Sequence, residues 1–382
     1  MRNIPFGKPM IGAEERQSVL EVLNGTTLVH GPRVTRFEAS FSEFSGAPHS
    51  VAVSSCTAGL HLFYLAIGVG AGDEVIVPAQ THVATAHAIE FCGAKPVFVD
   101  VLNHTGNIDP AGVEAAVTER TRAISVVHFL GVPVDMDLIL SIADTHGLLV
   151  VEDCALAIGA RYKNLHVGLH GDVGCFSFYP VKHITTAEGG IVITRDQDFA
   201  EKIATLRAFG VNRHHGERKI AGDYDVPLLG YNYRMNEIEA AIGLEQIKKL
   251  PEFLKLRKQN FTYLEQKLVD CRNISFFTNE NEKCQSSYYC FSILLEGKLL
   301  NKREEIIQFL NNKGIGTSIY YPKAVPMMKY YKKKYGYSGE EFPNASRISE
   351  QTISLPVGPH LNLEDMQYMA NHVTQALKIA EN

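Results

Sequence analysis

Lys182 sits in the run Gly174-Cys175-Phe176-Ser177-Phe178-Tyr179-Pro180-Val181-Lys182-His183-Ile184-Thr185-Thr186-Ala187-Glu188-Gly189-Gly190, a stretch of glycines and hydroxyls between two apolar segments. An amine so placed can add to an aldehyde as a Schiff base, because burial or a nearby cation lowers its pKa and frees the neutral nucleophile. The same amine, once displaced, can carry a proton between carbon atoms of the bound partners. A lysine in a loop is otherwise a solvated surface charge. Its neighbours must therefore carry the assignment.

Two further clusters supply such neighbours. Asp153 closes the apolar run Leu148–Val151, with Glu152 just before it. A carboxylate at the end of a buried strand is costly to ionise without a cationic partner, and a protonated ring nitrogen of a cofactor is one such partner. Taken alone, Asp153 reads as an acidic cap of the helix that follows. The segment Ser54-Ser55-Cys56-Thr57-Ala58-Gly59-Leu60 joins a strand to a helix with small and hydroxyl residues. Amides at a helix N-terminus make an anion site suited to a phosphate, and a capped helix without a ligand fits the same residues equally well. Neither GxxxxGK[ST] nor GxGxxG occurs, which speaks against a nicotinamide-dependent enzyme on a dinucleotide-binding sheet.

The elements that must hold these groups are visible in the periodicity. Strand-like runs at 50–54, 74–77, 96–100, 123–128 and 148–153 alternate with helical patterns at 58–69, 85–92 and 136–145. That alternation predicts an α/β fold with a mainly parallel sheet covered by helices, and ligands beyond the carboxyl ends of its strands. From Asn236 to Leu268 the pattern gives one or two long amphipathic helices, with a break or kink expected at Pro251. Strand-like 287–295, helix-like 302–313 and a final helix over 363–379 complete a smaller α+β domain. The division expected is a large domain over 1–250 and a small one over 251–382.

Composition narrows the function. The 382 residues are 45% hydrophobic and 21% charged, with net charge −5 and no long basic run, so nucleic acid is not an expected partner. No segment approaches the roughly 18 apolar residues of a membrane span, and the opening MRNIPFGKPMIG lacks the apolar stretch of a signal peptide. Seven scattered cysteines without a CxxC pair give no disulfide framework, zinc site or iron–sulfur site. Free thiols in a reducing cytoplasm are expected.

A phosphate nest, a strand-end aspartate and a lysine, in that order, resemble the fold-type I pyridoxal-phosphate enzymes, and specifically the DegT/DnrJ/EryC1/StrS sugar aminotransferases. The resemblance runs from Gly12-Ala13-Glu14-Glu15 to Ile353-Ser354-Leu355-Pro356. Its most specific segments are Phe176–Gly190, Glu152-Asp153-Cys154-Ala155 and Gly230-Tyr231-Asn232-Tyr233-Arg234-Met235-Asn236-Glu237. It implies that Lys182 bonds pyridoxal phosphate, that Asp153 pairs with the pyridine nitrogen, and that Thr57, Ala58 and Ser177 bind the phosphate. His82 falls where a ring stacks on the cofactor. Asn232 is expected to reach the phosphate of the neighbouring subunit, which implies a homodimer with shared sites. Arg234, His183 and Tyr321 are the candidate substrate contacts.

Two positions depart from the family pattern. Leu156 stands where relatives commonly carry Gln or His three residues after the aspartate, and the segment Tyr320–Pro326 lacks a histidine that many relatives have after the proline. A branch of the family has histidine in the lysine position and removes a 3-hydroxyl. Counting Ser-Phe-Tyr-Pro-Val-Lys from Ser177 puts Lys182 in register and His183 one residue past it, so transamination is expected rather than dehydration. The stretch Ile184–Gly190 resembles relatives that aminate C4 of a 4-keto-6-deoxy nucleotide sugar. C3 amination, cyclitol amination and a non-catalytic cofactor-binding regulator are the alternatives. L-glutamate is the implied donor, giving 2-oxoglutarate and pyridoxamine phosphate, in surface polysaccharide or other glycoconjugate biosynthesis. Arg33, Arg213, His214, His215, Arg218 and Lys219 put positive charge in loops that could meet the diphosphate.

Overall fold

Short β-branched runs become strands wherever both faces can be covered. In the computed structural model, which describes residues 2–211, 223–278 and 280–381, these are β1 (His49–Val53), β2 (Glu74–Pro78), β3 (Lys95–Val99), β4 (Thr121–Val127), β5 (Leu149–Asp153), β6 (Arg161–Tyr162), β7 (Leu165–His166), β8 (Val173–Ser177), β9 (Gly190–Thr194), β10 (Ile274–Phe276), β11 (Cys284–Gln285), β12 (Phe291–Leu295) and β13 (Thr352–Leu355). Seven of them form the central sheet, in the order β1-β9-β8-β5-β4-β2-β3. Every pairing is parallel except the two that β9 makes with β1 and β8. All residues of β2, β8 and β9 are buried, which is why the interiors of these strands are apolar runs rather than alternating. The carboxyl ends of β1, β2, β5 and β8 point the same way, and β9 begins at that end. The three clusters read from the sequence all lie there.

A second core gathers around the antiparallel sheet β10-β12-β13 and the helices Arg303–Asn312 and Leu363–Ala380, with Ile4 among its buried residues. Helix Glu237–Leu268 serves both cores. It starts from a reciprocal cap in which Asn236 Oδ1 accepts from the Ile238 and Glu239 amides at 3.0 Å each, while Glu239 Oε2 accepts from Asn236 N at 3.2 Å. The expected break at Pro251 does not occur: the helix is continuous over 32 residues with the proline inside it. Tertiary packing on both sides overrides the lost hydrogen bond, through Leu244, Ile247, Leu250 and Phe253 in one core and Phe261, Leu264 and Leu268 in the other. The residue 250/251 division therefore falls inside a helix that contributes to both cores. The strand expected over 287–295 is shorter, because residues 287–290 spend their polar groups elsewhere.

Glu152, one residue before Asp153, shows how the sheet's end is kept in shape. Fully buried, its carboxylate accepts from the amides of Gly168 (2.7 Å), His170 (2.8 Å) and Gly171 (2.7 Å) and pairs with His128 Nε2 at 2.9 Å. Burial alone would push this carboxyl's pKa up, but the His128 imidazole, His170 and the Gly168 amide outweigh it and hold the group below its ordinary 4.5. Its stabilising effect is thus present above that range and fades as pH falls below it. Glu152→Gln presents an amide nitrogen to donors that need an acceptor. The expected loss is about 3 kcal/mol in apparent unfolding free energy by urea titration at pH 7, and a loss under 0.5 kcal/mol would contradict this account, on the order of the cost of unpairing buried polar groups.

Candidate active site

Asp153 ends β5 and is 4% exposed. Its partners within the chain are neutral donors: Thr85 Oγ1 at 2.8 Å, the Ala155 amide at 3.0 Å and the Cys56 thiol at 3.8 Å. Thr85 is itself fixed by Thr81, hydroxyl to hydroxyl at 2.7 Å. Such a carboxylate is hydrogen-bonded but not neutralised, which suits it to a cationic ring nitrogen.

The helix Cys56–Ala66 opens beside it, immediately after β1. Ser55 caps it, its Oγ accepting from Ala58 N at 3.1 Å, so the Cys56 and Thr57 amides are the first-turn donors without a partner inside the helix. The helix packs tightly on the sheet: a Cβ on Gly59 would stand 2.8 Å from Val192 Cγ2. Opposite the cap, a Cβ on Gly190 would lie 2.4 Å from the Ser55 carbonyl carbon. Ser177 ends β8, 9% exposed, with its Oγ 3.4 Å from the Tyr179 amide.

Lys182 lies on the loop from Phe178 to Gly189. The loop is laced by Phe178 N to Gly189 O and Thr186 N to Phe178 O, both 3.0 Å, and by Thr185 Oγ1 to Phe178 O at 2.8 Å. The lysine is half-buried, with Nζ 5.5 Å from the centre of the Tyr289 ring. Burial lowers its pKa below the ordinary 10.5, and the Asp153 carboxylate and Cys56 thiol oppose that shift. Both groups act on Lys182 electrostatically, so the cluster forms one site. An amine depressed in this way is neutral, and so nucleophilic, over a wider pH range than a free lysine.

One wall of the site is aromatic. His82, exposed, caps helix Val83–Phe91 with Nδ1 accepting from Ala84 N at 3.2 Å, and its ring stands 5.5 Å edge-on from that of Tyr321. Although the residue is exposed at its edge, the packing around its ring and then the Lys182 charge lower the His82 pKa below the ordinary 6.5. Behind this pair, Tyr320 shares a 2.7 Å hydroxyl contact with Tyr289, and Gln80 Nε2 donates to the Tyr320 carbonyl at 2.9 Å.

A half-buried lysine, a neutral-bonded aspartate and a helix N-terminus around one opening agree with the comparisons. The DegT/DnrJ/EryC1/StrS aminotransferase family model matches residues 9–374. The spore coat polysaccharide biosynthesis protein SpsC of Bacillus subtilis is 38% identical over 384 residues, covering 99% of this chain and 98% of that protein. Spr1654 of Streptococcus pneumoniae, assigned as a sugar aminotransferase and solved in a pyridoxamine-phosphate form, superposes with a TM-score of 0.94 at 29% identity, over 99% of this chain and 100% of that one. PseC of Helicobacter pylori, an aminotransferase involved in the biosynthesis of pseudoaminic acid, superposes with a TM-score of 0.93 at 30% identity, over 99% and 100% of the two chains.

The chain belongs to the DegT/DnrJ/EryC1/StrS aminotransferase family. It is an aminotransferase, and its cofactor is pyridoxal phosphate. The residues present fit that group. Asp153 could offer its carboxylate to a protonated ring nitrogen, Thr57 its amide and hydroxyl to a phosphate, and Lys182 its amine to an aldehyde.

Other expected site residues of this aminotransferase stand differently. His183 is not presented to a substrate: it is 2% exposed, and its Nε2 lies 3.0 Å from the Ser287 carbonyl, because the ring packs inward against Tyr289. Arg234 covers the Phe209 ring at 4.8 Å and lines a cavity with Glu38, Arg207 and Phe209. Asn232 is exposed, bridged through its backbone to Ala208. Arg33 is paired with Glu21 at 2.6 Å. Arg213, His214, His215, Arg218 and Lys219 lie outside the described residues. Thr85, Cys56 and Tyr289 were missed as site residues. Only the hydroxyl-rich segment after β2 signalled Thr85, and nothing local marked Tyr289.

Because the neutral amine is the reactive form, acylation of Lys182 in the cofactor-free protein should rise with pH and level off at a midpoint below 10.5. Asp153 favours the ammonium, so Asp153→Asn should move that midpoint lower still. Competitive labelling read by peptide mass spectrometry measures both. A midpoint at or above that of free lysine, or an upward shift in the variant, would contradict the electrostatic account.

Proposed function

We propose that this aminotransferase moves the amino group of L-glutamate to a nucleotide-linked keto sugar, at C4 of a 4-keto-6-deoxy sugar, for surface polysaccharide or glycoconjugate synthesis. The observation that carries the reading is the lysine in register. Lys182 is half-buried, pKa-depressed and coupled to Asp153, while the adjacent histidine is packed away from the site. A dehydratase reading requires histidine in that place. The sugar and the polysaccharide context draw support from SpsC and PseC as those proteins are described, and the C4 position from the stretch Ile184–Gly190.

Bound pyridoxal phosphate supplies an electron sink that acidifies the hydrogen on the donor's α-carbon. Lys182 Nζ takes that proton and returns it on the cofactor side, the neutral amine acting as base and the ammonium as acid. Asp153 holds the ring nitrogen protonated, with Thr85 fixing the carboxylate's orientation. Thr57 and Ser177 would hold the phosphate end, the Ala58 amide being engaged by the Ser55 cap, and His82 would face the ring. Asn232, exposed on its own chain, is assigned to the phosphate site of a second copy, making the enzyme a homodimer with shared sites. A cytoplasmic place fits the free thiols.

Purified enzyme with glutamate should aminate one of a panel of 4-keto and 3-keto nucleotide sugars, with product and position read by mass spectrometry and fragmentation. Lys182→Ala should lower turnover by at least about a thousandfold, as expected when a covalent and proton-transferring group is lost. Turnover within tenfold of wild type in that variant, or amination only at C3, would refute the corresponding part of the reading.

A further inference from the structure

Lys182 and Asp153 come from different segments, the loop after β8 and the end of β5. The residue beside the lysine supplies the connection. His183 Nε2 lies 3.0 Å from the Ser287 carbonyl, which can only accept, so Nε2 carries the hydrogen. Ser287 in turn donates from Oγ to the Leu156 carbonyl at 2.9 Å, and its amide donates to Gly131 O at 3.1 Å. Leu156 is three residues past Asp153 on the same turn, in the family position that commonly carries a polar side chain. Here the main chain does the tethering.

The segment bearing Ser287 is itself fixed. Arg257, 6% exposed on the long helix, donates from Nη1 to the Tyr289 carbonyl at 2.8 Å, and the Tyr289 hydroxyl meets that of Tyr320 at 2.7 Å. The space is close-packed: a Cβ on Gly131 would come within 2.2 Å of Ser287 Oγ. The charged groups acting on His183 are Arg257, from the long helix, and Lys182, on its own loop. Burial above all, then these two cations, pushes the imidazole well below its ordinary 6.5, so the ring keeps a single N–H for the carbonyl.

We propose that His183 is a positioning residue for Lys182, its imidazole tying the lysine loop through Ser287 to Leu156 and so setting the lysine amine against Asp153. The inference rests on Lys182 being the amine that bonds the cofactor. It assigns no substrate contact to His183. Arg257 has a supporting part, holding the Ser287–Tyr289 segment from its far side and disfavouring an imidazolium.

The test uses cofactor-free full-length enzyme and its variants His183→Gln, His183→Asn and His183→Met. Gln places an amide nitrogen where Nε2 stands, Asn places one where Nδ1 stands, and Met fills the volume without a donor. Covalent attachment of added pyridoxal phosphate is trapped with borohydride over time and counted at Lys182 by peptide mass. Affinity for pyridoxamine phosphate, which has no aldehyde and does not need the lysine, is measured in parallel. Asn and Met should attach about tenfold more slowly than wild type, the size expected for one lost positioning hydrogen bond. Gln should stay within about threefold, and all variants should keep wild-type pyridoxamine phosphate affinity. Equal rates in all four proteins would overturn the proposal, as would Gln being as slow as Met, or a parallel loss of pyridoxamine phosphate affinity. If Met does not fold, the contrast between Gln and Asn decides. Failure of wild type to attach cofactor at Lys182 would instead overturn the parent reading.

Discussion

The site turns on a contest over one proton. Burial of Lys182 favours the neutral amine, and the Asp153 carboxylate favours the ammonium. In the proposed function neither tendency can be allowed to win outright, because there the amine must both give and accept a proton in one catalytic cycle. The surrounding architecture reads as a set of devices for keeping the two groups in register. Asp153 is held by Thr85 and Ala155, whose contacts satisfy the carboxylate's geometry without cancelling its charge. Lys182 is held on a loop stitched at Phe178 and spanned between β8 and β9.

That arrangement explains why the sheet is built as it is. Parallel strands deliver Ser54, Asp153 and Ser177 to one edge, and the single reversed strand β9 returns the lysine loop to the same edge. The glycines at 59 and 190 let helix Cys56–Ala66 and β9 approach closely enough for the helix N-terminus and the lysine loop to share one opening. Glu152 serves the same end from below, gathering three backbone amides and an imidazole just beneath the aspartate.

Much of this was legible in the chain, for a physical reason. Buried parallel strands leave continuous apolar runs, so β5 was read within one residue of its observed start, and Asp153 was identifiable as the charge that ends it. Lys182 was identifiable by its register against Ser177. What failed were features decided by tertiary contact. Pro251 signals a break locally, but packing against two cores holds the helix together. His183 was expected as a substrate contact, and only the fold turns its ring toward Ser287. Thr85 and Tyr289 reach the site from elements distant in sequence. Arg257 is one basic residue among several on a helix, distinguished only by being buried.

The central claim is that Lys182 is the amine to which pyridoxal phosphate bonds, opposite Asp153. Reduction of the purified holoenzyme with borohydride, followed by peptide mapping, tests it most directly. The account predicts a single cofactor-modified peptide, carrying the label on Lys182, and the loss of that label when the enzyme is first saturated with glutamate. Labelling at another lysine, or a Lys182 label unaffected by glutamate, would contradict it.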